Sequence, residues 1–291
     1  MKLGLVGSEM CIRDRKEIDI KTLKTKELYQ YLTSAITPRP IALVSTISEN
    51  GMSNLSPYSF FNVFSIRPPI LIFSPVNRTI DNTKKDTLIN ISKNKECVIG
   101  LVTEDIAQQV SLASSNFPSE EDEFKKAGLS KHLASLVKPS LIKDSPINFE
   151  CKVNDIVELG QEGGSGNLVI CEVLKIHIDE KLFDSENNID PLKLKIVSRL
   201  GGSWYGKTNE ESLYKMSKPI SKIGVGIDNL PLEIKNSKIL SGADLATLAS
   251  VEEIPNKKNT ATNEKNTEEK HILAKELISE GETQKAWQEL L

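Results

Sequence analysis

The densest candidate chemistry lies in residues 37–74, TPRPIALVSTISENGMSNLSPYSFFNVFSIRPPILIFS. Two apolar runs, residues 41–46 and 70–73, bracket a polar segment of small residues. That segment offers the hydroxyls, amides and backbone of Asn54, Ser56, Pro57, Tyr58 and Ser59. Such groups suit a loop that wraps a polar ligand, a phosphate above all. Further on, Lys84, Lys85, Asp86 and Thr87 fall at or before the first turn of a helix whose apolar face is Leu88 and Ile91. Helix N-termini attract anions, and lysines beside one strengthen the attraction. Each feature has a plainer reading. Ser56-Pro57-Tyr58-Ser59 could be an ordinary turn, Lys84-Lys85 a solvated helix start, and Asp86 a capping residue, since a carboxylate repels a phosphate.

Other motifs carry less. Residues 163–166 (GGSG) form a turn and not a phosphate loop, because no Gly-Lys-Ser/Thr follows. His177 sits between Ile176 and Ile178 in a strand, which favours a structural or interface role over catalysis. Of the four cysteines, Cys97, Cys151 and Cys171 lie in apolar runs and read as small core residues. Reduced thiols suit a cytoplasmic location. No Ser/His/Asp or metal constellation is visible.

The elements that must position these groups follow from apolar patterning. A short helix over residues 25–32 ends at Thr37-Pro38-Arg39-Pro40, since proline forbids its continuation. Residues 41–47 read as a strand buried on both faces, and Glu49-Asn50-Gly51 as a tight turn with Gly51 at positive φ. Residues 52–61 continue extended, with Pro57 breaking any regular ladder. Residues 70–73 and 97–102 are further strands. Asp105 is placed to cap a helix with Ile106, Val110 and Ala113 inward, and residues 120–126 form a helix ended by Gly128. Residues 147–153 alternate, with Ile147, Phe149, Cys151 and Val153 inward and Asn148, Glu150 and Lys152 outward. Residues 167–178 form a strand of about a dozen residues, near 40 Å, and strands of that length coil around a barrel. There is no β-α-β rhythm, so an antiparallel barrel fits better than a doubly wound parallel sheet. Ser241 is placed to cap a helix bearing Leu245 and Leu248.

Composition sets outer bounds. With 291 residues, 38 % hydrophobic and 5 % aromatic, the chain can bury a sizeable core. A net charge of −3 offers no basic field for nucleic acid or a membrane surface. No apolar run approaches the roughly 20 residues needed to span a bilayer. Residues 1–15 include VGSEMCIRDR, which resembles translated adapter read-through; they are set aside as a non-native leader, Cys11 with them. The expected organisation is a barrel domain over residues 16–210, an extension packing on it over 211–255, a flexible linker at 256–269 and a terminal helix at 270–291.

Taken together, several stretches resemble the flavin reductase-like family with the FMN-binding split-barrel fold, and within it the flavoredoxin-like branch of flavoprotein oxygenases. They are RPIALVST (39–46), NLSPYSFFN (54–62), Arg67-Pro68-Pro69, Lys85-Asp86-Thr87 with Asn90-Ile91, SPINFEC (145–151), His177-Ile178-Asp179, and Arg199-Leu200-Gly201-Gly202 with Tyr205. The likeness covers residues 28–208 and continues more weakly to Pro255. It implies a mainly β fold with flanking helices: a six-stranded antiparallel Greek-key barrel, working as a homodimer, with a helical C-terminal extension. It implies FMN held by Asn54, Ser56, Pro57, Tyr58 and Ser59. Ser74, Asn77 and Arg78 would line the ring and ribityl chain, Lys85, Asp86 and Thr87 would meet the phosphate, and Arg39 would support either. The implied activity is reduction of FMN by NADH or NADPH, in service of a partner monooxygenase. The alternative is a flavin-binding electron-transfer protein without its own nicotinamide site. The Arg199–Gly202 stretch is either a lesser part of the site or a tight turn only.

Overall fold

The computed structural model of the chain describes residues 16–216, 223–256 and 265–291. It divides into two compact units, one ending at Tyr214 and one beginning at Lys215, and each is described by itself. The expected leader lies outside the described residues, as do residues 257–264 of the expected linker.

The first unit opens with α1 (Thr25–Ala35), whose first turn is closed by the Lys24 N–H donating to the Glu27 carboxylate at 3.1 Å. Then come β1 (Ala42–Ile47), β2 (Ser53–Tyr58), β3 (Phe61–Ser65), β4 (Ile70–Phe73), α2 (Asp86–Asn94) and β5 (Glu96–Leu101). Next are α3 (Ala107–Ala113), α4 (Glu123–Ala127) and a short pair, β6 (Lys131–His132) and β7 (Leu141–Ile142). The long hairpin β8 (Ile147–Glu158) and β9 (Asn167–Ile178) follows, then α5 (Pro191–Leu194) and a last hairpin, β10 (Val197–Arg199) and β11 (Tyr205–Lys207).

Seven strands form one sheet in the order β2-β1-β5-β8-β9-β4-β3, and its pairings are antiparallel throughout. The two edge strands, β2 and β3, are consecutive in the chain and joined only by Ser59 and Phe60. Two residues reach roughly 7 Å, so the ends of the sheet must curl until β2 and β3 meet at that corner. This is the split barrel that the resemblance implies, with seven strands rather than six. Residues 53–58 depart from expectation. They were expected to run extended with Pro57 breaking any regular ladder, yet they pair with β1 in continuous register, Leu43 opposite Pro57 and Thr46 opposite Asn54. Pro57 is tolerated because β2 is an edge strand, where a missing N–H forfeits no ladder bond. Gly51 turns β1 into β2 at φ +80°.

β1 is buried on both faces, as its unbroken apolar run demands. Leu43 faces a core with Leu55, Val98, Val110 and Phe124. Ala42 and Val44 face the barrel interior with Phe73, Leu88, Ile91 and all three described cysteines. The Cys97 and Cys171 sulfurs lie 3.8 Å apart, and both thiols are free and buried. Helix α3 buries Ile106, Val110 and Ala113 at its base as expected. Its start differs: Asp105 lies inside a 3-10 turn, Glu104–Ile106, and α3 begins at Ala107. Helix α4 is shorter than expected, capped by Asp122 and ended by Gly128 at φ +66°.

The alternation expected for β8 holds for its apolar residues and fails for two polar ones. Asn148 and Glu150 are buried, because residues 133–145 cover that face. Asn148 accepts from the Ile142 N–H (2.9 Å) and donates to the Ile142 and Ser145 carbonyls. The Glu150 carboxylate accepts from the Ser135 (2.9 Å), Leu136 (2.5 Å) and Val137 (3.2 Å) N–H groups and pairs with His177 Nε2 at 2.6 Å. Burial opposes its charge, but the Ser135 N–H, the His177 ring and the Leu136 N–H outweigh burial and hold the carboxyl at about 2. His177 is thus a structural partner of Glu150.

In the second unit, α6 (Leu232–Lys235), α7 (Gly242–Leu248), α8 (Thr267–Ser279) and α9 (Thr283–Leu290) surround one core centred on Trp287, whose indole N–H donates to the Leu248 carbonyl at 3.1 Å. Ser241 caps α7 through the Asp244 N–H. The expected terminal helix is two helices, because Gly281 at φ +81° interrupts it. No helix among the described residues is long and apolar enough to cross a membrane.

The Glu150 site makes a prediction about acid stability. Its folded pKa lies below the ordinary 4.5, so its contribution is complete above that pH and disappears as pH falls toward 2. Urea melts across pH 6 to 3 should show stability falling in that window for the native chain. Glu150→Gln should start less stable and show a flatter dependence; an equally steep fall in the variant would assign the transition to other carboxylates.

Candidate functional site

The corner between β2 and β3 faces α2, and two adjoining clefts open there. The more polar one is lined by Asn54, Ser56, Tyr58, Arg78, Lys85, Asp86, Thr87, Glu123 and residues 113–117. The wider one, of about 180 Å³, is lined by Tyr29, Ser56, Pro57, Tyr58, Ser59, Phe60, Ser74, Val76, Lys85 and Ser114. Ser56, Tyr58, Lys85 and Ser114 belong to both and mark the junction.

The anchoring network starts at Asn54. Its side-chain oxygen accepts from the Thr46 (3.1 Å) and Thr87 (2.7 Å) hydroxyls, and its amide donates to Glu123 Oε1 at 3.0 Å. Glu123 Oε2 accepts from the Leu55 N–H at 3.1 Å, and Asn90 donates to the Thr46 hydroxyl at 3.1 Å. These buried groups lock β1, β2, α2 and α4 together. Burial, with the Asp86 carboxylate as a lesser cause, pushes the Glu123 carboxyl above its ordinary range. Thr87 is 1 % exposed with its hydroxyl turned inward to Asn54. What it can offer the cleft is its place in the first turn of α2, where helix N–H groups have no carbonyl partner within the helix.

Positive charge collects at the junction. Arg78 donates to the Thr83 hydroxyl (3.1 Å) and Lys84 carbonyl (2.9 Å) and lies 3.4 Å from Asp86. The Lys85 ammonium makes no hydrogen bond or ion pair among the described residues. Burial first, and repulsion from Arg78 second, lower its pKa. Asp86 is a partner of Arg78 at the first position of α2 and does not cap the helix, whose N-cap position is held by Lys85 without a side-chain bond. The Tyr58 hydroxyl is buried, lies near the Ser56 and Thr87 hydroxyls, and forms no hydrogen bond of good geometry. Burial raises its pKa, so it is a neutral donor in want of an acceptor.

Two expected site residues do not reach either cleft. Arg39 is 7 % exposed and spends its guanidinium on the Thr33, Ile36 (2.8 Å) and Leu200 (3.2 Å) carbonyls, with Nε 3.5 Å from the Ser59 hydroxyl. It holds the C-terminus of α1, and with it the wall that carries Tyr29. Gly201 backs the same helix: a Cβ there would lie 2.2 Å from the Ser34 hydroxyl oxygen. The Arg199–Gly202 stretch is thus a turn that supports the wall. Asn77 is buried and bonds to Asn82 and Asn167. Conversely, sequence reasoning missed Tyr29, Phe60, Val76, Glu123 and residues 114–117. The run Ser114-Ser115-Asn116-Phe117 has the same hydroxyl, amide and aromatic make-up as residues 54–60 and could have been found by that likeness. Nothing local marks Glu123.

Residues 34–193, more than half of the chain, match the family described as flavin reductase like domain. The chain belongs to that family. An uncharacterized protein of Aquifex aeolicus is 36 % identical over 200 residues, which is 69 % of this chain and 100 % of that one. Among solved structures, nitrilotriacetate monooxygenase component B from Bacillus cereus is similar with TM-score 0.65 and 27 % identity, over 70 % of this chain and 99 % of that one. A flavin reductase with a split barrel domain from Shewanella frigidimarina, at TM-score 0.59 and 21 % identity over 68 % of this chain and 95 % of that one, shares the fold. The role is that of a flavin reductase-like flavoprotein.

The residues at the junction fit a flavin. An unpaired ammonium, a second cation and the start of α2 suit an anionic group, the orphaned Tyr58 hydroxyl suits an acceptor, and the wider cleft suits a flat ring system. Tyr58→Phe should leave the melting temperature of the flavin-free protein unchanged or raised by a degree or two, since an unpaired buried hydroxyl costs about 1 kcal/mol or more. Flavin affinity should fall at the same time. A lower melting temperature with unchanged flavin affinity would mean that the hydroxyl serves the fold.

Proposed function

We propose that this protein is an FMN-binding oxidoreductase that passes a hydride from NADH or NADPH to bound FMN. The observation that carries this reading is the Lys85 ammonium: half-buried, without a hydrogen bond or ion pair among the described residues and pressed by Arg78, it sits where the polar cleft joins the flat one. A phosphate dianion beside it would relieve its desolvation and the repulsion together.

In this reading Lys85, Arg78 and the α2 N-terminus hold the phosphate. Ser56, Ser59, Ser74 and the Tyr58 hydroxyl meet the ribityl chain and ring edge. Tyr29, Phe60 and Val76 shield the ring from water. Asn54, Thr87 and Glu123 fix the geometry of the strand and helix that carry these groups, and Arg39 and Asn77 support the walls. FMN, when bound, supplies the hydride-accepting chemistry, which is why no acid–base side chain is required of the chain.

The wider setting follows the same reading. The exposed apolar side chains of Val63, Phe64 and Ile176, 54 %, 64 % and 52 % exposed, favour a homodimer. Likeness to a monooxygenase component B favours delivery of reduced flavin to a partner monooxygenase. The buried, unbridged thiols suit the cytoplasm.

Anaerobic addition of NADH and of NADPH to the FMN-loaded protein tests the reading. The flavin's visible absorption should bleach with at least one donor. No bleaching with either would replace the reductase by an electron-transfer flavoprotein without a nicotinamide site. A protein that takes up no FMN would sink both. Lys85→Ala should weaken FMN by about tenfold and riboflavin far less; equal losses would show that Lys85 does not meet the phosphate.

A further inference from the structure

The tip of the β8–β9 hairpin does more than reverse the chain. It grips the loop that carries Arg78. The Asn77 N–H donates to the Ser165 carbonyl at 2.9 Å, and the Gly164 N–H returns a bond to the Asn77 carbonyl at 3.0 Å. Asn167, 1 % exposed at the start of β9, spans the junction. Its backbone N–H reaches the Pro75 carbonyl and the Ser74 hydroxyl, both at 3.1 Å. Its side-chain amide donates to the Pro75 carbonyl at 3.0 Å and to Asn77 Oδ1 at 3.1 Å. The Asn77 amide passes on to Asn82 Oδ1 at 3.3 Å, and the Asn82 amide closes back on the hairpin at the Gln161 carbonyl, 2.6 Å. Gly163 permits the approach: a Cβ there would come within 3.0 Å of the Thr79 backbone.

Three asparagine amides thus form a ladder whose two ends rest on the hairpin and whose middle frames residues 77–82. Arg78 lies inside that frame, and its guanidinium leaves it toward Thr83, Lys84 and Asp86 at the polar cleft. The Asn167 side-chain oxygen remains buried without a partner. The amide of Asn167 is spent on two acceptors of the loop that carries Arg78, which ties that loop to the start of β9.

We propose that Asn167, Asn77 and Asn82 are positioning residues that confer the cleft's selectivity for a phosphate ester, acting through Arg78. The inference rests on the phosphate reading of the cleft given above. The hairpin is a template for the loop: the amides fix the backbone on either side of Arg78, so the guanidinium meets the anion without first losing the freedom of a mobile loop.

The test is a fluorescence titration of FMN and of riboflavin against the unsubstituted chain, Asn167→Ala, Asn82→Gly and Arg78→Ala. Asn82 has φ +58°, which glycine adopts freely, so Asn82→Gly removes the amide and keeps the turn. The native chain should prefer FMN. Asn167→Ala and Asn82→Gly should each lose about tenfold in FMN affinity with riboflavin changed by less than about twofold. In the Arg78→Ala background, Asn82→Gly should have no further effect on FMN, since its influence passes through that side chain. Variants that keep the native FMN-to-riboflavin ratio overturn the proposal and leave the phosphate reading standing. A native chain without preference for FMN overturns the phosphate reading itself. Should Asn167→Ala melt too low to titrate, the Asn82→Gly ratio decides alone.

Discussion

The constraint on which the first unit depends is the two-residue connection between β2 and β3. Those strands lie at opposite edges of a seven-stranded order, yet Ser59 and Phe60 alone join them. A chain that short cannot span a flat sheet of seven strands, which would be about 28 Å wide at ordinary strand spacing. The sheet must curl, and its closure leaves a corner. At that corner the edge strand β2 presents Ser56, Pro57 and Tyr58 to a cleft instead of to another strand. Proline at position 57 is compatible with this and with little else, because only an edge strand can do without its N–H.

Around that corner the polar groups fall into two classes. One class bonds internally and holds the walls: Asn54 with Thr46, Thr87 and Glu123; Arg39 with three carbonyls; the Asn167 amide N–H groups with Asn77 and Pro75. The other is left wanting: the Lys85 ammonium and the Tyr58 hydroxyl. Desolvated groups without partners carry a free-energy cost that an isolated protein has no reason to keep. Here the two flank one junction between a polar and a flat cleft, within reach of a single bound ligand.

Much of this was legible in the sequence, and what was not has identifiable causes. Apolar run length placed β1, β4, β5 and β9, and the amphipathic face of Leu88 and Ile91 placed α2. The polar cleft residues at 54–59 and 85–87 were found because hydroxyls, amides and cations cluster in short stretches. The β2 segment read as extended but without a regular ladder, because Pro57 cannot donate to one and edge position is a tertiary fact. Asn148 and Glu150 read as solvent-facing because alternation records only the sheet's own pleat, not the segment of residues 133–145 that covers it. Arg39 read as a ligand and proved to be a clamp, since a guanidinium satisfied by carbonyls looks no different in sequence from one awaiting an anion. Glu123 and Tyr29 reach the cleft from helices distant in the chain, and no local pattern announces them.

The central claim is that one corner holds FMN with its phosphate at Lys85 and the start of α2. The most direct measurement is a crystal structure of the FMN complex. The account predicts the phosphate within hydrogen-bonding distance of Lys85 Nζ and the first N–H groups of α2, with the ring in the cleft walled by Tyr29, Phe60 and Val76. A phosphate seated away from Lys85, or a flavin bound elsewhere on the barrel, would contradict it.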